Sequence, residues 1–220
     1  MDTESKPFKI AFYGGSFDPV HRAHLAIARE LTAQFSFDEF VFIPAFHAPH
    51  KKRLVATSAM DRFAMLALAT NNEARISVSK IEIEVPSRPY TVETLERLNE
   101  LLPGASLYFV MGADSWMDIR TWREWEKVLT LSNHIVITRP GVSISFDHVT
   151  DEIRERIVDM RVLEDPPDST GGHKIYMTDS VNMDISATLI REKIRDSLDS
   201  WTDDVSKEVA KYIEKYQIYS

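Results

Sequence analysis

The sequence contains no cysteine, which removes disulfides, thiolate metal sites and a cysteine nucleophile from consideration. Positive charge is in deficit: 26 Lys and Arg against 34 Asp and Glu give a net charge of −8 and a pI near 5.4. Broad, sequence-independent contact with nucleic acid needs a basic surface that displaces counterions, so no nucleic-acid partner is expected. Any anionic ligand must meet positive charge placed locally. There is no apolar run of about 18 residues, and the opening MDTESKPFKI has no apolar stretch of signal length. No membrane partner and a cytoplasmic location are therefore expected. Walker loops, GxGxxG and HExxH units, internal repeats, low-complexity tracts and long linkers are missing as well. With 44% hydrophobic residues in 220, the chain can bury one good core, and a single domain over 1–220 is expected.

What is present is an alternation of strand and helix periods. FKIAFYG (8–14), FVFIPA (40–45, stopped by Pro44), SLYFVMG (106–112), HIVIT (134–138) and residues 174–178 read as strands. RISVSKIEIEV (75–85) alternates in two halves, Ile76/Val78 and Ile81/Ile83/Val85, whose phase change predicts a bulge or a break. Helices are expected over 25–35, from a Ser58/Asp61 capping box onward, over 91–102, across the Trp-rich 114–131, near 149–160, from Ser186, and from about Asp203. EDPPDSTGG reads as an exposed loop. This alternation predicts an α/β protein with a parallel sheet covered by helices on both faces. In such sheets ligands bind at the carboxyl ends of the strands, near a topological switch point.

Two segments can carry chemistry. In FYGGSFDPVHRAHL (12–25) the first strand ends at Gly14-Gly15 and a helix begins a few residues later. Glycines let backbone approach a ligand, and free N–H groups at a helix start attract anions. His21 and His24, three apart, place two imidazoles where both can meet one phosphate chain. The plainer reading is a tight turn with incidental histidines. In DISATLIREKI (184–194), Ser186 can cap a helix whose next turns carry Thr188 and Arg191 on one face. That is either a capped amphipathic helix burying Ile190, Ile194 and Leu198, or hydroxyls, N–H groups and a guanidinium converging on a polyphosphate.

As a pair, GGSFDPVHRAH and ISATLIR resemble the signatures of the nucleotidyltransferase superfamily with an HxGH-type and an ISSTxIR-type motif. PAFHAPHK (44–51), YTVETL (90–95) and GADSWMDIRTW (112–122) are similar to elements of the bacterial nicotinate-nucleotide adenylyltransferases, so the resemblance runs from about Lys9 to Arg191. It implies a Rossmann-like, doubly wound parallel sheet. The implied reaction is adenylyl transfer from ATP to nicotinate mononucleotide, giving deamido-NAD and pyrophosphate in NAD biosynthesis. The attacking phosphate belongs to the substrate, so no serine, cysteine or general base is needed and alignment carries the catalysis.

The resemblance also implies residue roles. His21, His24 and Arg191 would be catalytic, holding the phosphates. Gly14, Gly15, Ser16 and Phe17 would line the junction of the two substrates. The ATP site would add Gly112, Asp114, Ile185, Ser186 and Thr188, with the helical part near 185–220 completing it. His50, Lys51, Tyr90, Thr91 and Trp122 would receive the mononucleotide alongside Ser16 and Phe17, with Trp122 stacked on the pyridine. Mg²⁺ would ride on the triphosphate, with no metal site of the protein's own. ATP and nicotinate mononucleotide would be the small-molecule partners, and a homo-oligomer is compatible with the sequence.

Three positions depart from the family pattern: Ala23 and Pro89 replace a glycine and a serine, and Ala187 replaces the second serine of ISST. The added methyl of Ala23 predicts a modest loop shift, and Pro89 removes a backbone donor. Pantetheine-phosphate and glycerol-phosphate nucleotidyltransferases lack the YTVETL plus GADSWMDIRTW combination. His47 and His50 could suggest a zinc site, but a hydrolytic centre needs a third ligand and a carboxylate base. A reading from another class is a nucleotide-binding protein that keeps the fold without turnover. Trp116 and Trp125 are expected in the core, and core packing is the plain alternative for Trp122. Residue types do not set a preference between nicotinate and nicotinamide.

Overall fold

A computed structural model describes residues 6–46, 57–138, 144–163, 166–167, 172–179, 181 and 183–219. Along the chain come β1 (Lys9–Gly15), α1 (Arg22–Gln34), β2 (Glu39–Pro44), α2 (Ala59–Ala69), β3 (Ile76–Val78), α3 (Thr91–Leu101) and β4 (Ser106–Gly112). Next are α4 (Ala113–Met117), α5 (Trp125–Val128), β5 (Asn133–Ile137), α6 (Asp151–Arg154), β6 (Ile157–Asp159), β7 (Ile175–Thr178), α7 (Ala187–Arg195) and α8 (Lys207–Tyr216). The described strands form one parallel sheet in the order β3-β2-β1-β4-β5-β7-β6. Among the described residues, no helix is long and apolar enough to cross a membrane.

The two-residue side-chain period sorts the core into two layers. Ala11, Tyr13, Phe40, Phe42, Tyr108 and Val110 face one side, where they meet α1, α2, α7 and α8 through residues such as Leu31, Met65, Ile190 and Val209. Ile10, Phe12, Val41, Ile43, Phe109 and Met111 face the other, against Leu95 of α3, Trp116 of α4, Val128 of α5 and Ile153 of α6. Helices therefore cover both faces, as the alternating signals require. From β1 the chain winds outward through β2 and β3, and from β4 it winds the other way. The reversal lies between β1 and β4, whose glycine ends Gly15 and Gly112 open side by side.

Four local expectations change. The second alternating half, Ile81/Ile83/Val85, is not a strand: Ser79 N–H reaches Phe42 C=O at 2.9 Å, and the following rung would need an N–H from Pro44. The Trp-rich stretch is no continuous helix, because Glu124 sits at φ +50° and separates α5 from α4 and the short 3₁₀ turn at Ile119–Thr121. The helix expected near 149–160 is one turn, capped by Thr150, before β-branched Ile157-Val158 joins the sheet edge as β6. Arg156 fixes that change of course by donating to the carbonyls of His173 and Leu129. At the end of the chain Asp203 falls in a 3₁₀ segment, Asp199–Asp204, and Ser206 rather than Asp203 opens α8 by accepting from Val209 N–H. Most of EDPPDSTGG lies outside the described residues.

Candidate active site

The loop from Gly15 to His21 crosses the open end of β1. A Cβ on Gly15 would lie 2.8 Å from the Phe17 ring and one on Gly14 would lie 3.0 Å from Phe109, so both glycines make room for aromatic rings. Phe17, at φ +48° and only 2% exposed, tucks its ring inward against Tyr13, Phe42 and His24. The glycine pair thus serves packing beneath the loop as well as close approach above it.

His21 is the N-cap of α1, which begins at Arg22, three residues earlier than the apolar spacing suggests. Its backbone N–H donates to His24 Nδ1 at 3.2 Å, and the two rings stack at 3.7 Å between centroids. A neutral imidazole that accepts at Nδ1 carries its proton on Nε2. Burial, reinforced by the neighbouring His21, holds His24 well below the ordinary imidazole pKa. His24 is therefore a neutral donor at pH 7, aimed by the helix cap instead of by charge. Ala23 lies between the two as a buried residue of the first helical turn, where its methyl costs nothing in helix propensity relative to glycine.

Ser186 caps α7 by accepting from Leu189 N–H at 3.2 Å, as its sequence position predicts. Arg191 is 9% exposed; it donates to Thr188 Oγ1 at 3.0 Å and to the Asp18 carbonyl at 2.5 Å. The ISATLIR helix is thereby fastened to the loop before α1, so the two motifs that sequence alone links by resemblance are in contact. Ala187 is the first residue of α7, so the missing hydroxyl is not the capping one.

These elements surround a cleft of about 600 Å³ at the switch point, lined by Gly14 to Phe17, His21, His24, Gly112, Asp114, Ile185 and Ser186 among others. Thr188 and Arg191 are not part of this lining: Thr188 is exposed, and the buried Arg191 braces the loop through the Asp18 carbonyl. A second cleft of about 490 Å³ adjoins it and shares Asp114 and Ser115. Its walls carry Glu82, Arg88, Tyr90, Thr91, Trp122 and Arg123. Trp122 is extended (φ −77°, ψ 143°) at the end of the 3₁₀ turn, half-buried, with its ring edge-to-face on Phe109. It both packs and lines the cleft. Trp116 is fully buried and Trp125 partly so, as expected. Tyr90 caps α3 with its N–H on Glu93, and the Arg123 guanidinium lies 4.8 Å over its ring. His50 and Lys51 lie outside the described residues.

Sequence reading passed over Arg62, Asp18 and Glu82. Arg62 is 1% exposed, and its guanidinium donates to the carbonyls of Ser16 at 2.8 Å, Ala45 at 2.5 Å, Phe46 at 3.4 Å and Thr57 at 3.2 Å. One side chain thus ties the loop after β1 to the loop after β2. Its signal was a cation on the same helical stripe as Met65 and Leu66. Glu82 accepts from Thr94 Oγ1 at 2.9 Å, and burial raises its pKa within the second cleft. Among the described residues, no group of three or more His, Asp or Glu side chains could hold a metal ion.

Paired clefts at the switch point of a doubly wound sheet, one with a helix-capping histidine pair, define a nucleotide-handling transferase site. The chain belongs to the cytidylyltransferase-like family, whose model matches residues 12–193. A curated relative from Desulfatibacillum aliphaticivorans, named a probable nicotinate-nucleotide adenylyltransferase, is 36% identical over 219 residues, covering 96% of this chain and 99% of that protein. Within the wider family, this chain therefore stands among the nicotinate-nucleotide adenylyltransferases. Plasmodium falciparum nicotinic acid mononucleotide adenylyltransferase, solved complexed with APC and with NaAD, is similar in fold at a TM-score of 0.69 and 22% identity. That likeness covers 96% of this chain and 96% and 97% of the two solved chains.

Proposed function

We propose that the protein joins ATP and nicotinate mononucleotide at the meeting of its two clefts. The observation that carries this reading is the shared Asp114-Ser115 edge, which places a histidine-capped anion pocket beside an aromatic, arginine-rimmed one. In the reaction an oxygen of the mononucleotide 5′-phosphate attacks the α-phosphorus of ATP. The bond from that phosphorus to the bridging oxygen breaks, and the electron pair leaves with pyrophosphate. Both reactants bring their own charge and nucleophile, so the protein's work is to align them and to meet charge as it develops.

His24 would donate Nε2–H to the phosphate chain, His21 and the N–H groups opening α1 would flank it, and Ser186 would add a hydroxyl. Arg191 would act mainly by holding the loop through Asp18. Gly112, Asp114 and Ile185 would border the adenosine. Mg²⁺ would arrive as the ATP complex, supplying charge neutralisation on the triphosphate, and the exposed carboxylate of Asp114 has the chemistry to meet its hydration shell. Tyr90, Thr91 and Trp122 would receive the pyridine nucleotide, with the basic segment holding His50 and Lys51 for its phosphate. The whole chain would act as one unit, its part from 185 onward completing the ATP side, in the cytoplasm where ATP is at hand.

Purified protein with ATP, Mg²⁺ and either nicotinate or nicotinamide mononucleotide should release pyrophosphate, with the higher kcat/KM on nicotinate. Release from neither would overturn the reading. Calorimetry that found ATP binding without turnover would favour a binding protein instead.

A further inference from the structure

The loop between β1 and α1 has little regular structure, yet it carries residues proposed to meet the phosphates. Three side chains from distant parts of the chain hold it down. Arg62 takes the Ser16 carbonyl and Arg191 the Asp18 carbonyl. The third is Tyr219, beyond α8, whose hydroxyl donates to Asp18 Oδ1 at 2.7 Å across a separation of 201 residues.

We infer that Tyr219 is a positioning residue for adenylyl transfer, holding the phosphate loop in register through the buried Asp18 carboxylate. Asp18 is 2% exposed, and a polar group so placed costs free energy unless it is hydrogen-bonded. Tyr219 also meets the Thr57 side chain, and the Thr57 carbonyl accepts from Arg62. The tyrosine thereby spans from the loop after β1 to Thr57, next to the Ser58 cap of α2. Its backbone is left-handed, at φ +75°, a conformation that non-glycine residues seldom adopt. Burial and the Asp18 charge push its pKa upward, so the hydroxyl keeps its proton at any working pH. Tyr219 lies outside residues 12–193 matched by the family model, so the family's motifs do not assign it.

The kinetic part of this inference rests on the adenylyl-transfer reading; the structural part does not. Tyr219→Phe keeps the ring and removes the donor. We expect amides between Gly14 and His24 to exchange at least about five-fold faster while β4 and β5 are unchanged, with a melting temperature within about 5 °C of wild type. Pyrophosphate release should show kcat down about ten-fold, with a smaller change in KM for the mononucleotide. Asp18→Ala removes the acceptor; in that background, Tyr219→Phe should alter loop exchange by less than about two-fold. A purely structural tyrosine would speed exchange evenly across the sheet and leave kcat alone, and that result overturns the inference. So does unchanged loop exchange, or faster loop exchange with wild-type kcat. If wild-type protein releases no pyrophosphate with either mononucleotide, the adenylyl-transfer reading fails, and the exchange data still decide whether Tyr219 holds the loop.

Discussion

The two clefts share an edge and differ in construction. Around the first, the groups that hold the loop are buried and committed, Arg62 and Arg191 on backbone carbonyls and Asp18 on Tyr219, and the half-buried His24 is fixed by the cap of its own helix. Around the second, Tyr90 is 48% exposed, and Arg123 pairs with Glu93 at 3.4 Å with both side chains about half exposed. The contrast matches the role proposed for each side. Transition-state charge on the α-phosphate is best met by donors that need no reorganisation, which is what burial and committed hydrogen bonds provide. Recognition of a second substrate tolerates side chains that settle on arrival.

If that contrast is real, removing a donor from the first cleft should cost turnover more than anything done to the second. His24→Ala should lower kcat by about 10²-fold or more, as for loss of one preorganised donor, with KM for the mononucleotide little changed. Steady-state pyrophosphate release measures both, and an unchanged kcat would remove the distinction between the clefts. Arg62→Lys tests the frame behind the donor. An ammonium cannot reproduce a planar fork on four carbonyls, so carbonyls lose their partner at roughly 2–3 kcal/mol in all. At this chain length that is a fall in melting temperature of roughly 5–10 °C by calorimetry. A melting temperature equal to wild type would show that the loops after β1 and β2 are held independently.

How much of this was legible in the sequence follows the range of the interactions. Elements set by local rules came through: the buried strands β1, β2 and β4, the Ser58 and Ser186 caps, and Trp116 in the core. Ile81 to Val85 misled because the alternation was sound but the partner strand runs out of N–H donors at Pro44, a fact held 40 residues away from the pattern in sequence and visible only once β2 and β3 are paired. Asp18 sat within a quoted motif and was read past, since its partners Arg191 and Tyr219 are separated from it by 173 and 201 residues. The histidines were singled out correctly as a pair, but their stacking and the Nδ1 acceptor depend on His21 being the cap and not a helical residue. Trp122 sits on the cleft wall as the extended residue that ends the 3₁₀ turn, ahead of the left-handed Glu124, a break that no period announces.

On the second cleft, Trp122→Ala should act on binding. Stacking of a ring on an aromatic side chain contributes about 1–3 kcal/mol, so KM for the mononucleotide should rise roughly ten-fold or more while KM for ATP holds. A change confined to ATP would put Trp122 on the wrong side of the shared Asp114-Ser115 edge.

The smallest effect, and the sharpest test of the contrast, concerns Arg123. Its pair with Glu93 is exposed, so Arg123→Ala should move the melting temperature by no more than about 4 °C, since pairs of this kind contribute roughly 0–1 kcal/mol. The guanidinium nonetheless rims the cleft proposed to receive the mononucleotide, in a chain whose net charge is −8. At low salt its loss should raise KM for the mononucleotide about three-fold, and the difference from wild type should vanish as ionic strength approaches roughly 0.5 M, because exposed charges are screened over a few ångströms there. The His24→Ala defect should persist at the same salt, its donor being neutral and enclosed. If instead both defects respond alike to salt, the two clefts are equally open to solvent, and the difference in their construction does not reach their chemistry.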